Sequence, residues 1–323
     1  MSALRYLGDA DVASLAGDWS AAVATIEEAA ATLAGGEFAQ PLKLYLRFGD
    51  PRTRIIAMPA FIGGGIAAAG LKWVASFPDN PAAGLPRAHS VVIVNDVTTG
   101  APRCIVNSPL LNGIRTAAVS ALVLRRYLDA RPRPKLTVGI IGWGPIGRCH
   151  AAMLASLLDD RVEALRLHDL QGVTAEFVPA RLRDRTVVCE SWQEVFERSD
   201  VTVTCTVARR RYIDTKPPRG ALLLNVSLRD YHTSIRGHTD AIVVDDWREV
   251  CREDTDIERM HEECGLEEDD VMTIPELVRD GLGRFGVDEP ILFCPMGMAV
   301  FDVALAARCW RAAELGGVGR VLE

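Results

Sequence analysis

The segment Leu136-Thr-Val-Gly-Ile-Ile-Gly-Trp-Gly-Pro-Ile-Gly-Arg-Cys-His150 decides the fold of this chain. Its apolar run Val-Gly-Ile-Ile predicts a parallel strand that is covered on both faces. Three glycines follow, at the spacing required by a tight turn, a close approach of backbone to a pyrophosphate and a close helix–strand contact: Gly142, Gly144 and Gly147. A helix is expected to begin near Pro145, with its N-terminal N–H groups toward the phosphates. The segment therefore predicts the start of a Rossmann domain that binds a dinucleotide.

The strand after this helix is predicted to end at an acidic residue. Ala164-Leu-Arg-Leu-His168 is followed by Asp169, which lies 27 residues after Gly142. An acid at this position accepts hydrogen bonds from ribose hydroxyls and disfavours a 2′-phosphate, so the predicted cofactor is NAD rather than NADP. Pro145 and Ile146 are predicted to present their backbone to the pyrophosphate. The alternative is a glycine-rich turn in another kind of α/β unit.

The composition is that of an ordinary globular protein, with 49% hydrophobic and 24% charged residues among 323. This length leaves room for about two domains. The net charge of −7 disfavours broad binding to nucleic acid. No apolar run is long enough to span a bilayer and no signal peptide is recognised, so no membrane partner is expected and the cytoplasm is the predicted compartment. The eight scattered cysteines predict free thiols, and the histidines show no metal-ligand spacing, so no metal is expected.

The two ends of the chain differ in pattern from its middle. Residues 10–34 are rich in alanine with apolar residues at helical spacing, which predicts a helix that ends at Gly35-Gly36. Strand-like runs separated by Gly, Pro and Asp extend over 42–106 and predict an antiparallel sheet. A further helix is predicted for 116–127, and a final amphipathic helix for 298–315.

From residue 136 onward, strands and helices alternate as in a doubly wound fold, and the pattern is acidic and helical over 248–285. The predicted fold class is therefore α/β, with a Rossmann-type doubly wound domain and a discontinuous α+β domain for substrate binding and dimerisation. The predicted bounds are 119–299 for the Rossmann domain, and 1–118 with 300–323 for the other. Because the sheet edges of the split domain would need covering, a homodimer is expected.

Five further segments of the chain carry a family resemblance: Gln40-Pro-Leu-Lys43, Met58-Pro-Ala60, Gly70-Leu-Lys72, Asn80-Pro-Ala-Ala-Gly-Leu-Pro86 and Leu111-Asn-Gly-Ile-Arg-Thr-Ala-Ala-Val-Ser120. Together with the glycine segment, they resemble the ornithine cyclodeaminase/μ-crystallin family over nearly the whole chain. The combination of Lys72 with the Arg115-Thr-Ala-Ala-Val-Ser120 run is specific to that family.

Within that family, the chain departs from ornithine cyclodeaminase itself. It lacks the Asp-Cys-Pro-Gly-Lys segment and carries instead Asn225-Val-Ser-Leu-Arg-Asp-Tyr231, Val244-Asp-Asp-Trp-Arg-Glu-Val-Cys-Arg-Glu-Asp254 and Phe293-Cys-Pro-Met-Gly-Met-Ala-Val-Phe-Asp302. These segments look like the branch that makes L-2,3-diaminopropionate for siderophores or peptide antibiotics. The resemblance implies NAD-dependent oxidation of an amino-acid conjugate with three carboxylates and a secondary amine. Hydrolysis of the ketimine would then release 2,3-diaminopropionate and 2-oxoglutarate.

The resemblance also implies roles for basic side chains. Lys72 would bind the substrate α-carboxylate and polarise the reacting centre. The alternative is a strand lysine without a ligand, whose charged head snorkels to water. Arg115 stands just before a predicted helix, and its planar fork suits a substrate carboxylate or a cofactor phosphate. Lys43 replaces an arginine that the family uses to bind a carboxylate, and the nearby Arg47 is the alternative for that role.

An acid and several polar residues follow the later strands of the predicted Rossmann sheet. Asp230 follows the strand 221–226, at the carboxyl edge where Rossmann ligands bind. The resemblance implies that it is the catalytic base that takes a proton from the attacking water or amine, and a loop Asp that caps a turn is the alternative. It also implies that four residues line the edge where the riboses of the cofactor lie: Thr206, Asn225, Val226 and Ser227. The Arg209-Arg-Arg211 run has two interpretations, a phosphate or substrate contact and a solvated face.

Two other kinds of function stay open at this stage. One is another enzyme of the same family, such as an ornithine cyclodeaminase, a ketimine reductase or an alanine dehydrogenase. The other is a non-catalytic ligand-binding protein like the crystallin members of the family. The presence of Lys72, Arg115 and Asp230 favours an enzyme.

Overall fold

The computed structural model describes residues 4–50 and 52–322, and the chain divides into two compact units. The first unit comprises residues 1–118 and 298–323, and the second comprises residues 119–297. This division places Met298 and Ala299 in the first unit, two residues before the boundary predicted from the sequence.

The described residues form nine α-helices and sixteen β-strands. The helices are α1 Asp9–Ala16, α2 Trp19–Ala34, α3 Pro109–Ala130, α4 Pro145–Leu157, α5 Trp192–Glu197, α6 Trp247–Val250, α7 Asp256–Cys264, α8 Ile274–Asp280 and α9 Ala299–Gly316. The strands are β1 Leu4–Leu7, β2 Phe38–Ala39, β3 Leu44–Leu46, β4 Arg54–Ile62, β5 Ala68–Ser76, β6 Ala88–Asn95, β7 Pro102–Asn107, β8 Leu136–Ile141, β9 Val162–His168, β10 Thr186–Val188, β11 Val201–Thr204, β12 Leu222–Asn225, β13 Ile242–Val244, β14 Met272–Thr273, β15 Ile291–Cys294 and β16 Arg320–Leu322. None of these helices is long and apolar enough to cross a membrane.

The first unit is built on one eight-stranded sheet with the order β16-β1-β7-β6-β5-β4-β2, and β3 pairs with β4. All of its strand pairs are antiparallel except β1 with β7. The antiparallel sheet predicted over 42–106 is therefore present, and strands near both chain ends extend it.

Two helix predictions for the first unit differ from the structure. The predicted helix 10–34 is two helices, because the chain breaks at Gly17 and the side chain of Asp18 accepts a hydrogen bond from the N–H of Ala21 to start α2. The predicted amphipathic helix near the C-terminus, α9, is instead buried over 299–307, since it packs against β4, β5 and β6 and also against α2. A helix with apolar neighbours on both sides needs no polar face.

The second unit is a doubly wound domain with eight parallel strands in the order β10-β9-β8-β11-β12-β15-β13-β14. Counted from β8, the first five strands follow the 3-2-1-4-5 order of a Rossmann sheet, and the switch point lies between β8 and β11. The Rossmann fold predicted from the glycine segment is confirmed. The acidic stretch 248–285 is only partly helical: it contains most of α6 and all of α7 and α8, together with the short strand β14.

Candidate dinucleotide and carboxylate sites

The glycine loop connects β8 to α4 in the predicted manner. Gly142 has φ +101°, and a Cβ there would lie 2.7 Å from the backbone of Cys205, so the turn requires glycine. A Cβ on Gly147 would lie 2.2 Å from the carbonyl oxygen of Gly142, which explains the close helix–strand contact. A Cβ on Gly144 would meet nothing within 4 Å. The loop therefore has open space beside Gly144, at the N-terminus of α4.

Asp169 follows β9 and lies beside this loop. Its Oδ2 accepts a hydrogen bond from the N–H of Trp143 at 2.5 Å, and its Oδ1 accepts one from the N–H of Gln171 at 2.7 Å. The carboxylate is only half-buried. Asp169 therefore lies beside the glycine loop, which holds its carboxylate, and its role toward the ribose stays a prediction.

Asp230 is fully buried in the loop after β12. The hydroxyl of Thr206 donates to its Oδ1 at 2.5 Å, and the hydroxyl of Ser227 donates to its Oδ2. Burial raises the pKa of Asp230 above its usual value, although these two hydroxyls act in the opposite direction. Both hydroxyls bind this carboxylate, and the expected contact of Thr206 and Ser227 with the cofactor stays a prediction.

Asn225 has its side chain inside the unit, and its expected contact with the cofactor stays a prediction. It is fully buried, and its Nδ2 donates to Asp256 Oδ2 at 2.9 Å. Its Oδ1 accepts from the N–H of Leu228 at 3.0 Å and from the hydroxyl of Thr204 at 3.2 Å. Both the oxygen and the nitrogen of the Asn225 amide therefore have hydrogen-bond partners that shape the loop. The next residue, Val226, is half-buried.

A second set of functional side chains lies within the first unit, between β5, α3 and α9. The Nζ of Lys72 donates to Asp302 Oδ1 at 2.8 Å and to Asn112 Oδ1 at 2.6 Å. The Nε of Arg115 donates to the same Asp302 oxygen at 3.0 Å, and its Nη2 donates to Asn112 at 3.1 Å. Lys72, Arg115 and Asp302 are all buried. We call Lys72, Asn112, Arg115 and Asp302 the basic cluster.

The electrostatics of the basic cluster leave it with more positive than negative charge. Burial lowers the pKa of Lys72 to about 8, Asp302 opposes that shift, and the charges of Arg115 and Lys43 add to it. Burial alone would raise the pKa of Asp302, but Arg115 and Lys72 hold it below its usual value. Among the described residues, Asp302 Oδ2 accepts no hydrogen bond. The cluster can therefore attract an anion and still accept one hydrogen bond.

The structure separates the two candidates for the second carboxylate ligand. Lys43 is buried, and its charge acts on Lys72. Arg47 is exposed, with its guanidinium 4.9 Å from the ring centroid of Tyr45. Lys43, and not Arg47, therefore lies with the basic cluster.

Arg115 also differs from its sequence prediction. Since α3 begins at Pro109 rather than at 116, Arg115 lies inside the helix and not at its start. Its partner is Asp302, which is not among the site residues predicted from the sequence. The signal was present, because Asp302 is the one charged residue between Met296 and Ala307. A charge in such an apolar stretch is expected to have a buried partner.

The three arginines of the Arg209–Arg211 run have different surroundings. Arg209 and Arg210 are exposed, as in a solvated face. Arg211 is only 17% exposed and donates from its Nε to Asp256 Oδ1 at 2.7 Å. Within 4–50 and 52–322, no group of three or more His, Cys, Asp or Glu side chains is arranged to hold a metal ion.

These features define a class of protein: a Rossmann-type dinucleotide-binding protein in which a separate unit, the first, contains buried cations that suit a carboxylate. The chain belongs to the ornithine cyclodeaminase/mu-crystallin family, whose family model matches residues 10–314. The family resemblance seen in the sequence is therefore confirmed.

Individual relatives agree with this assignment. The chain is 34% identical to N-((2S)-2-amino-2-carboxyethyl)-L-glutamate dehydrogenase of Staphylococcus aureus (strain NCTC 8325 / PS 47), over 99% of this chain and 98% of that protein. A solved archaeal alanine dehydrogenase dimer with bound NAD superposes with a TM-score of 0.84 at 26% identity, covering 99% of both chains. The Thermococcus litoralis Delta(1)-pyrroline-2-carboxylate reductase, solved with NADH and L-proline, has a TM-score of 0.86 at 24% identity, covering 98% of this chain and 100% of that one.

Proposed function

We propose that this protein oxidises N-((2S)-2-amino-2-carboxyethyl)-L-glutamate with NAD+ and hydrolyses the resulting ketimine to L-2,3-diaminopropionate and 2-oxoglutarate. The observation that carries the proposal is the basic cluster, in which two buried cations share a single carboxylate oxygen. A substrate with three carboxylates suits such a site. The Staphylococcus aureus relative supports the choice of substrate, because it is similar over the full chain.

The protein is an oxidoreductase that uses NAD, and the second unit fits this cofactor. The open space at Gly144, the N-terminus of α4 and the carboxylate of Asp169 would hold the pyrophosphate and the adenine ribose. When bound, NAD+ accepts a hydride from the substrate carbon that carries the nitrogen. Backbone groups of Pro145, Ile146 and Val226 belong to the same proposed site.

The basic cluster would bind and orient the substrate through its carboxylates. Lys72 has one N–H beyond those that it donates to Asn112 and Asp302, and Arg115 has further donors on its guanidinium. Arg115 is proposed as a substrate ligand rather than as a cofactor phosphate ligand. Lys43 adds positive charge to the same region.

Asp230 would act as the base in the hydrolysis. Water adds to the C=N carbon of the ketimine, and the carboxylate takes the proton that the water loses. Burial raises the pKa of Asp230, so its carboxylate is a stronger base than an exposed Asp. Two hydroxyls hold the carboxylate in one orientation.

A panel of substrates tests this proposal. The protein is incubated with NAD+ and, separately, with the glutamate conjugate, other N-substituted glutamates, L-ornithine, L-alanine and L-proline, while NADH is followed by absorbance. We expect NADH only with the glutamate conjugate, with 2,3-diaminopropionate and 2-oxoglutarate detected in equal amounts by mass spectrometry. NADH with alanine or proline alone would assign another reaction of the family. Consumption of L-ornithine without net NADH would assign a cyclodeaminase, because that reaction returns its hydride to the substrate, and no consumption of any substrate by mass spectrometry would favour a ligand-binding protein.

We also propose that the protein is a homodimer, although for a different reason from the sheet edges considered above. One face of the sheet in the first unit is apolar and exposed, with Leu44 68% and Trp73 42% accessible. The register places Leu44, Ala57, Trp73 and Val91 in one row across four strands. A continuous apolar sheet face of this kind needs a partner surface. The alanine dehydrogenase relative was solved as a dimer.

A further inference from the structure

The loop that carries Asp230 contains a strained residue. Leu228 has φ +66°, in the left-handed region where residues other than glycine are uncommon. Its N–H donates to Asn225 Oδ1 at 3.0 Å, and its carbonyl oxygen accepts from the N–H of Asp256 at 2.8 Å. Strain of this kind persists only where the surrounding structure holds it. The conformation of residues 226–231 is therefore set by groups outside the loop.

The side chain of Asp256 is one of the groups outside the loop that hold it, together with the backbone of Thr204, Tyr212 and Ile213. It is fully buried at the start of α7. Its Oδ2 accepts hydrogen bonds from the N–H groups of Asp230 and Tyr231, both at 3.0 Å, and from Asn225 Nδ2 at 2.9 Å. One carboxylate oxygen thus holds the backbone of Asp230 itself.

Arg211 holds the other oxygen of this carboxylate. Its Nε donates to Asp256 Oδ1 at 2.7 Å, and its Nη2 donates to the carbonyl oxygen of Asp254 at 2.7 Å. Burial raises the pKa of Asp256 to about 6, while the N–H groups and the Arg211 charge act against that rise. Four N–H groups donate to this carboxylate, an arrangement that stabilises its ionised form.

We propose that Asp256, held by Arg211, is a positioning residue that fixes the backbone of Asp230 and thereby aims its carboxylate. The proposal rests on the proposed role of Asp230 as the base. Asp256 does not itself touch the reacting atoms in this assignment. It acts through the backbone N–H groups of Asp230 and Tyr231.

The variant Asp256→Asn separates this role from simple packing. Asn has the same shape, but one of its two polar atoms is an NH2 donor. If the amide oxygen faces the loop, the NH2 group faces the Arg211 guanidinium, and if it is turned round, the NH2 group faces three N–H donors. The first orientation loses the hydrogen bond from Arg211, and the second loses the hydrogen bonds from the three N–H groups. Arg211→Gln is the milder variant, because it leaves all three bonds to Oδ2 in place.

Hydrogen exchange of the full-length protein without ligands gives the first measurement. We expect the backbone amides of residues 228–232 to exchange at least about 5-fold faster in Asp256→Asn, and by a smaller factor in Arg211→Gln. The matched control is Asp288→Asn, which removes an exposed Asp partner of Arg219 in the same unit and should leave this segment unchanged. Unchanged exchange in both Asp256→Asn and Arg211→Gln would overturn the proposal.

Kinetics with NAD+ and the glutamate conjugate give the second measurement. Asp256→Asn should lower kcat by about 10- to 100-fold with little change in KM, because a small misplacement of a reacting group costs this much. In an Asp230→Asn background, Asp256→Asn should cause no further loss. Additive losses would overturn the positioning role. If Asp230→Asn alone keeps full turnover, the proposed function of Asp230 fails, whereas the exchange measurement still decides whether Asp256 holds the loop.

Discussion

Replacing Asp302 with Asn removes the charge at the centre of the basic cluster while keeping its shape. Asp302 Oδ1 accepts from both Lys72 at 2.8 Å and Arg115 at 3.0 Å, whereas its Oδ2 has no hydrogen-bond partner among the described residues. The amide can therefore turn its oxygen toward the two cations and its NH2 group to the other side. The variant tests the charge of Asp302 with little loss of hydrogen bonding.

The expected loss of stability follows from the burial of the cluster. Removing one partner from a buried ion pair costs about 3–5 kcal/mol, because the remaining charge is left without compensation. Lys72 can relieve part of this cost by releasing its proton. Its pKa of about 8 depends on attraction to Asp302, so the pKa should fall in the variant. A fall of about one unit corresponds to about 1.4 kcal/mol.

The sign of the pH dependence follows from the lowered pKa of Lys72. The folded protein holds the Lys72 proton less tightly than the unfolded chain does, so stability rises with pH between the folded pKa of about 8 and the usual lysine pKa of 10.5. In Asp302→Asn the pH range over which stability rises should begin at a lower pH. The loss of stability relative to the wild type should therefore be largest near pH 6 and smaller near pH 9.

Two measurements check this prediction. The KM for the glutamate conjugate is measured from pH 6 to 9.5. In the wild type it should begin to rise near pH 8, as Lys72 loses its charge, and in Asp302→Asn the rise should begin about one pH unit lower. Urea unfolding at pH 6 and 9 gives the stability. The control in the same unit is Glu314→Gln, whose partner Arg103 is partly exposed, and it should cost at most about 1 kcal/mol. A KM profile in Asp302→Asn that matches the wild type would refute the role of Lys72 described here.

Three further outcomes are expected. In steady-state kinetics, Lys72→Ala should raise KM as well as lower kcat, whereas Asp230→Asn should mainly lower kcat, by about 10²- to 10⁴-fold. Calorimetry should show that the affinity for NAD+ is unchanged in both variants. NAD+ should bind at least about 10-fold more tightly than NADP+, because a 2′-phosphate beside Asp169 costs upward of about 1.4 kcal/mol; equal affinities in calorimetry would contradict this. Light scattering at micromolar concentration should give the mass of a dimer, and Trp73→Glu should shift it toward a monomer, whereas a monomeric wild type would disprove the dimer.

The Rossmann domain was predictable because its signals are local. The strand, the three glycines and the helix start lie within fifteen consecutive residues, Leu136–His150. Gly142 and Gly147 meet backbone requirements of the turn and the helix, and Gly144 leaves open space beside the helix start. Asp169 could be placed for the same reason, since it directly follows the next strand. The family resemblance likewise depends on short segments such as Gly70-Leu-Lys72.

What the sequence alone determined about this protein is therefore its family, its Rossmann fold and the residue types available to each site. The tertiary structure alone decided which of those residues meet. Lys72 finds its partner Asp302 at a separation of 230 residues, and the hydroxyls of Thr206 and Ser227 bind Asp230 rather than facing outward. A buried polar group takes whichever partner the packing brings within hydrogen-bond reach, because leaving it without one is costly. That choice depends on contacts distant in sequence, which no local pattern records.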